Sequence, residues 1–191
     1  MDNHESKLIA AILRGEVEAF EVLIERYQPR IFGNARRYAR RTDEVEDIVQ
    51  EVFIKAYQKL GTFRGEAPFE HWLMRLTTRT CYDFLRRHQK NREHPLAELS
   101  EDENDWLERF AASPESAHDE EDAARQLVSK IIESLNAEDR MVITMQEIEE
   151  KSVKEIAQLT GWSESKVKVR AFRARNQMRK ILARIAKEKF L

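Results

Sequence analysis

The sequence has little of what most structural frameworks need. It contains one cysteine, Cys81, with 5 Gly and 4 Pro among 191 residues. A single thiol excludes an internal disulfide framework and a cysteine-rich zinc site, and it suits a reducing compartment. With so few chain-breaking residues, a barrel or a sandwich is disfavoured and an all-α fold is expected.

Membrane and catalytic signals are missing as well. No apolar run approaches the ~20 residues that cross a bilayer, and the N-terminus lacks the basic start and apolar stretch of a signal peptide. The sequence has no Gly-rich phosphate loop and no G-x-S-x-G or H-E-x-x-H motif, and its 5 His are scattered. We therefore expect a cytoplasmic protein outside the membrane, with no catalytic residue, cofactor, metal or small-molecule substrate.

Charge is distributed unevenly, although the formal net charge is only −2. Residues 1–90 carry 16 Lys/Arg and 14 Asp/Glu, residues 91–122 carry 2 and 12, and residues 123–191 carry 15 and 9. We therefore predict two helical domains, 1–92 and 123–191, joined by an acidic linker, 93–122. Basic density in the last block is typical of nucleic-acid binding.

The acidic linker allows two interpretations. Acidic runs are commonly solvated tethers. This one also contains the apolar residues Trp106, Leu107 and Phe110, which a tether does not need. The alternative is therefore that it competes with nucleic acid for a basic block and docks through those side chains.

In the first block we expect short helices over 4–14, up to Tyr27 and Pro29, and over 31–40. A longer helix is predicted from Thr42 and Asp43, as caps, to Leu60, with Gly61 as its end. Its buried stripe comprises Val45, Ile48, Val49, Val52, Phe53, Ala56, Tyr57 and Leu60.

The opposite face of that helix is polar except at one position. Ile54 lies among acidic and amide residues, and two interpretations remain open: an ordinary exposed apolar residue, or the centre of a small interface with a polar rim. The face comprises Asp43, Asp47, Gln50, Glu51, Ile54 and Gln58.

Pro68 fits the first turn of a further helix that ends near Arg87 or Lys90. Beside its buried stripe runs a flank on which basic and aromatic residues alternate. Arginines neutralise phosphates while flat rings stack on unpaired bases, so the flank suits single-stranded nucleic acid. The alternative interpretation is that the arginines form an ordinary solvated face and that the aromatic residues lie at the edge of the core. The flank comprises Trp72, Arg75, Arg79, Tyr82 and Arg86.

The last block ends in a predicted helix-turn-helix. One helix is expected over 123–135, with Leu127, Val128, Ile131, Ile132 and Leu135 inward, and a second over 137–148, capped by Asn136. Ser152 and Glu155 have the spacing of a capping box that opens a third helix. Gly161 suits the sharp turn and Ser163 caps the fourth helix.

The fourth helix has a narrow apolar face and a basic one. The inner residues are Val167, Ala171, Ala174, Met178, Ile181, Leu182 and Ile185. Basic side chains on the outer face can contact phosphates or guanine edges, and apolar ones can contact thymine methyl groups. The alternative is a solvated basic helix. The outer residues are Lys168, Val169, Phe172, Arg173, Arg175, Asn176, Arg179 and Lys180.

The order of these parts resembles the extracytoplasmic-function (ECF) sigma factors of bacterial RNA polymerase. The resemblance rests on FEVLIERYQPRIF, on DEVEDIVQEVFIKAYQKLGTFRGEAPFEHWLMRLTTRTCYDFLRR and on LNAEDRMVITMQEIEEKSVKEIAQLTGWSESKVKVRAFRARNQMRK. It implies a non-enzymatic promoter-specificity subunit whose partners are the β′ and β subunits of core polymerase, promoter DNA and an anti-sigma factor.

The resemblance also implies roles for individual residues. Those implied to bind core polymerase are Asp43, Asp47, Gln50, Glu51 and Ile54. Those implied to open and read the minus-ten element are Arg64, Trp72, Arg75, Arg79, Tyr82 and Arg86. Those implied to read the minus-thirty-five element are Ser165, Lys166, Lys168, Val169, Phe172, Arg173 and Asn176.

Two other classes of function fit the residue pattern. One is a free-standing helix-turn-helix repressor whose first block is a dimerisation or effector domain. The other is a helical adaptor whose basic face docks the acidic linker. Salt-dependent DNA affinity separates the adaptor from the DNA-binding classes, and dependence on polymerase separates those two.

Overall fold

The computed structural model describes residues 3–39, 41–91 and 119–189. Within these ranges the backbone forms helices and turns and no strand, which confirms the expected all-α class. The chain divides into two compact units; the main boundary falls just after Leu85, and the short segment 158–161 belongs with the first unit. Most of the predicted acidic linker, including Trp106, Leu107 and Phe110, lies outside the described residues.

The first unit contains helices α1 to α3 and most of α4. They span Asn3–Leu13 (α1), Glu18–Ala35 (α2), Thr42–Lys59 (α3) and Phe69–Asn91 (α4), and a 3₁₀ turn, Leu60–Thr62, follows α3.

Helix α2 continues through Pro29, where two separate helices were predicted, so that prediction is wrong. A proline removes one backbone hydrogen bond, here to the carbonyl of Glu25. Both residues are exposed, so water can solvate that carbonyl. Buried side chains recur every four residues on both sides of Pro29, and their shared burial outweighs the local loss. They are Leu23, Tyr27, Ile31 and Ala35.

Helix α3 buries its predicted stripe with one exception, because Tyr57 is 45% exposed. Its start also differs from the prediction. The cap residue is Arg41, whose backbone N–H donates to the Glu44 carboxylate at 3.3 Å. Asp43 lies inside the first turn, where its charge favours the helix N-terminus. The α-helix ends at Lys59, and Gly61 belongs to the 3₁₀ turn.

The second unit contains four more helices. They span Asp119–Ser134 (α5), Ala137–Ile143 (α6), Val153–Thr160 (α7) and Glu164–Lys189 (α8), and a π turn, Thr144–Ile148, extends α6. Residues 119–122, assigned to the linker by the sequence, thus form the first turn of α5.

The core of this unit lies between α5, α6 and α8. Ile132, Leu135 and Ile143 pack with Ala174, and the small alanine side chains allow close approach of α8. Two residues predicted to face inward are exposed instead, namely Val128 at 48% and Leu182 at 43%. Both border the buried stripe, where a helical wheel cannot separate edge from core.

The predicted caps of the second unit are confirmed. The Asn136 side chain accepts a hydrogen bond from the Asp139 backbone at 3.0 Å. The Ser152 hydroxyl donates to the Glu155 carboxylate at 2.6 Å and the Ser152 amide donates to it at 2.9 Å, and these two hydrogen bonds lower the pKa of Glu155. The Glu155 amide in turn donates to the Ser152 hydroxyl at 3.3 Å. Gly161 has φ +74°, a left-handed conformation that favours glycine.

A buried hydrogen bond joins α1 to α2. The Tyr27 hydroxyl donates to the Glu5 carboxylate, which is 5% exposed, and Arg26 lies 3.6 Å from the same carboxylate. Burial, together with this carboxylate, raises the pKa of Tyr27 from 10.0 to about 12.

This shift predicts a loss of stability in alkali. Between pH 10 and about 12 the unfolded chain loses the Tyr27 proton while the folded chain keeps it, so the free energy of unfolding falls as pH rises. Across this pH range the free energy of unfolding falls by about 2–3 kcal/mol at most. Urea unfolding at several pH values should show a steeper decline for the natural chain than for Tyr27→Phe. If the free energy of unfolding declined equally with pH in both proteins, the raised pKa of Tyr27 would not be the cause.

Candidate protein and nucleic-acid interfaces

An apolar groove of about 630 Å³ runs between α2 and α3 in the first unit. Ile54, 49% exposed, lines it. The aromatic wall is ordered by edge-on packing, with ring centroids of Phe20 and Tyr57 at 5.1 Å and of Phe20 and Phe53 at 6.3 Å. Ile54 is therefore part of a continuous apolar surface. We refer to this surface as the apolar groove; its apolar lining is Val17, Phe20, Ile24, Phe32, Val49, Phe53, Ile54 and Tyr57.

Polar side chains form the rim of the apolar groove, including Gln28, Glu46, Gln50 and Gln58. An apolar centre with a polar rim is the usual anatomy of a protein–protein interface. Pockets this apolar are also the places where anchoring side chains of a partner are fully desolvated. The groove therefore suits a partner that presents apolar side chains on a helix or an extended segment.

Asp43, Asp47 and Glu51 of α3 do not line the groove, and they differ in their surroundings. Asp47 is exposed. Asp43 accepts a hydrogen bond from the Arg41 guanidinium at 3.0 Å, which holds the pKa of that carboxyl below its ordinary value. Glu51 is half-buried and pairs with Lys55 at 2.8 Å, so its charge is already compensated within the unit.

Sequence reasoning identified only one wall of this surface. The other wall is the second apolar stripe of α2, with Phe20, Ile24 and Phe32 at helical spacing. The signal was present, because α2 carries more apolar residues than its buried stripe needs. The predicted break at Pro29 divided this stripe between two short helices and concealed it.

In α4 the structure brings the basic and aromatic residues together on one flank. Arg75, Arg79 and Arg86 are exposed, while Trp72 and Tyr82 are half-buried. Their spacing of three and four residues places them in one row along the helix. Arg64 lies outside the helix, in the loop before α4, where it is exposed.

An aromatic cluster ties that loop to α4. The Phe63 ring lies 5.4 Å from Phe69 and 5.8 Å from Trp72, and Trp72 stacks on Phe69 at 5.4 Å. These contacts restrict the rotamers of Trp72 and leave part of the ring accessible. A held, half-exposed ring next to exposed arginines is a suitable platform for an unpaired base.

In the second unit, α8 presents a basic face with an apolar centre. Phe172 is 64% exposed and Val169 is 48% exposed, and Lys168, Arg173 and Ser165 are exposed beside them. Asn176 is half-buried one turn further on. Exposure of this much phenylalanine surface on a helix that has a complete core on its other side indicates a binding surface.

Several cations of α8 are engaged within the unit, Lys166 and Arg175 among them. The Lys166 ammonium lies 2.7 Å from the Glu138 carboxylate and 4.1 Å from the centre of the Trp162 ring. Arg175 lies 2.7 Å from the Glu147 carboxylate. Contact of Lys166 with DNA stays a prediction, and it requires the pair with Glu138 to open.

In the described ranges, no cluster of three His, Cys, Asp or Glu could hold a metal ion. Across those same residues, no helix is both long and apolar enough to span a membrane.

Comparison with known proteins gives two family matches. Residues 23–91 match sigma-70 region 2, and residues 125–178 match sigma-70, region 4. The chain is 35% identical over 172 residues to the ECF RNA polymerase sigma-E factor of Escherichia coli, with 88% of each chain covered. It is 32% identical over 191 residues to the RNA polymerase sigma-H factor of Pseudomonas aeruginosa, with 96% of each covered.

Two solved structures have a similar fold. CnrH, in complex with the cytosolic domain of CnrY, aligns with a TM-score of 0.56 at 24% identity, covering 95% of this chain and 98% of that one. The sigma factor RpoE of Bartonella quintana, in complex with the anti-sigma factor NepR, aligns with a TM-score of 0.53 at 19% identity, covering 86% and 96%. At these identities the likeness concerns the fold alone.

Proposed function

The chain belongs to the ECF sigma factors of RNA polymerase, and we propose that it binds core polymerase and directs it to specific promoters. The observation that carries this proposal is the presence, in one chain, of two different exposed surfaces. The first unit has an apolar groove with a polar rim, and the second unit has a helix with a basic, partly apolar face. A sigma factor needs both a protein-binding and a DNA-binding surface.

The apolar groove is the proposed site for core polymerase. Its partner is a helical element of the β′ subunit, which would place apolar side chains against Ile54, Phe20 and Tyr57. The acidic and amide rim then selects a partner with basic or polar groups around its apolar centre. We assign this role to Gln50, which lines the groove, and to Asp43, Asp47 and Glu51, which belong to the same helix but not to the lining.

The flank of α4 is the proposed site for the minus-ten element. Opening duplex DNA costs unstacking energy, and stacking of the exposed bases on aromatic rings returns ~1–3 kcal/mol per base. Trp72 and Tyr82 supply such rings. Arg64, Arg75, Arg79 and Arg86 neutralise the backbone of the displaced strand.

The exposed face of α8 is the proposed reader of the minus-thirty-five element. Lys168 and Arg173 contact phosphates or guanine edges, and Val169 and Phe172 contact thymine methyl groups. Ser165 and Asn176 complete the proposed set of base contacts, and Lys166 contributes a phosphate contact when its pair with Glu138 opens. Each unit alone makes few contacts, but two units held on one polymerase gain effective concentration at a promoter.

Control by an anti-sigma factor is the proposed regulation. The RpoE structure of similar fold is a complex with an anti-sigma factor. The apolar groove and the α8 face are the surfaces that polymerase and promoter need, and both are accessible in this chain. A regulator that covers either surface would therefore prevent promoter recognition by competition.

Co-elution with bacterial core RNA polymerase tests the proposal. We expect a stoichiometric complex of the full chain and core enzyme on size exclusion at moderate salt. The complex should transcribe from a subset of genomic fragments that core enzyme alone does not use.

A well-folded sample that never co-elutes with core enzyme would overturn the proposal. Tight, symmetric binding to duplex DNA in the absence of polymerase would then favour a free-standing repressor. A chain with no salt-dependent DNA affinity would favour an adaptor.

A further inference from the structure

Three cations of α8 are paired with acidic residues from the α6 segment and the π turn that extends it. Glu138 contacts both Lys166, at 2.7 Å, and Arg170. Arg170 also lies 3.4 Å from Asp139. Glu147 lies 2.7 Å from Arg175. The charge that α8 presents to a ligand is therefore smaller than its sequence implies.

The basic residues at the centre of the proposed DNA face differ from these three. Lys168 and Arg173 are exposed, and within the described ranges neither forms an ion pair. The helix thus carries two classes of cation along its length. One class is free to meet DNA, and the other is neutralised from within the unit.

We propose that Glu138 and Glu147 determine specificity by withholding Lys166 and Arg175 from DNA phosphates. The inference rests on the proposed binding of DNA by α8. Phosphate contacts supply the affinity for random duplex, whereas base contacts supply discrimination. Neutralising cations that do not read bases lowers non-specific affinity more than it lowers recognition of the correct site.

The exposed fraction of each paired side chain determines which cations could reach a DNA phosphate if the acidic partner lost its charge. The side chain of Arg175 is 45% exposed and that of Lys166 is 38% exposed, so either can reach a phosphate once its partner loses its charge. Arg170 is 25% exposed and retains Asp139 as a second partner. Its release contributes less, so Lys166 and Arg175 are the cations that the two glutamates control.

The salt dependence of DNA binding tests this inference. The full chain is titrated against a fluorescent random duplex at 50 and 200 mM salt, as the natural protein and as Glu138→Gln and Glu147→Gln. Each released cation adds one phosphate contact, which makes affinity fall by a further ~3.5-fold across that salt range. We expect this increment for each variant.

Glu150→Gln is the matched control. It removes the same charge from an exposed position of the same unit, and among the described residues Glu150 forms no ion pair. We expect it to keep the salt dependence of the natural chain. A purely structural role for Glu138 and Glu147 would change thermal stability and leave the salt dependence at the control value.

The outcomes separate the inference from the proposed function. If natural and variant chains bind duplex with one common salt dependence, the inference fails and the proposed DNA role survives. If the natural chain binds duplex without any salt dependence, both fail. Should Glu138→Gln unfold, Glu147→Gln decides the question alone, because the Glu147 side chain is 53% exposed and its replacement leaves the core intact.

Discussion

Ile54→Asp is expected to abolish stable assembly with core RNA polymerase while leaving the chain folded. Ile54 is 49% exposed and lines the apolar groove. In the free chain a carboxylate at this position therefore stays hydrated, and the fold is not disturbed. In the complex the same carboxylate would be buried without a partner. The loss at the centre of an interface is about 2–4 kcal/mol, which corresponds to about 30- to 700-fold in Kd.

Val22→Asp provides the control for this substitution. Val22 is 42% exposed on α2 and does not line the groove. Titration of labelled chain with core enzyme should give the natural Kd for Val22→Asp and a greatly weakened one for Ile54→Asp, while both retain the natural affinity for duplex DNA. Normal assembly of Ile54→Asp with core enzyme would refute the assignment of the groove to polymerase.

Arg173→Ala is expected to remove most discrimination at the minus-thirty-five element while sparing polymerase binding. Arg173 is exposed on α8, beside the accessible ring of Phe172. A bidentate contact between arginine and a guanine edge is worth about 1–3 kcal/mol of discrimination. The ratio of transcription from an intact promoter to that from one mutated at minus thirty-five should therefore fall by about 5- to 150-fold.

Lys180→Ala is the comparison for this prediction. Lys180 is an exposed cation of the same helix, outside the residues proposed to read bases. Its loss should weaken binding equally on both promoters, because a phosphate contact carries no sequence information. If Arg173→Ala also lowered both promoters equally, Arg173 would be a phosphate contact and not a reader of bases.

The local sequence contained most of the information about helices and caps. Asn136, Ser152, Glu155 and Ser163 each accept or donate the hydrogen bond expected of a cap. Such contacts join residues three positions apart, so spacing alone identifies them. The basic face of α8 was equally readable, because one helix supplies every residue in it.

Features that require two elements to meet were not readable. The apolar groove combines Phe20 of α2 with Tyr57 of α3, and a wheel drawn for α3 alone placed Tyr57 in the core. Pairing of Lys166 with Glu138 joins residues 28 positions apart. A count of basic residues in α8 cannot register that neutralisation. The predicted helix break at Pro29 was wrong for a related reason. The burial of side chains on both sides of the proline depends on tertiary packing, which the local sequence does not show.

The apolar groove also has a consequence for how much of this protein a cell can hold. The groove has a volume of about 630 Å³ and is lined by aromatic and aliphatic side chains. An exposed apolar patch of this kind promotes aggregation whenever no partner covers it. Chains made in excess of their partners are then expected to self-associate or to be degraded, while bound chains are stabilised by mass action. The groove thereby couples the abundance of the protein to the supply of the partners that cover it.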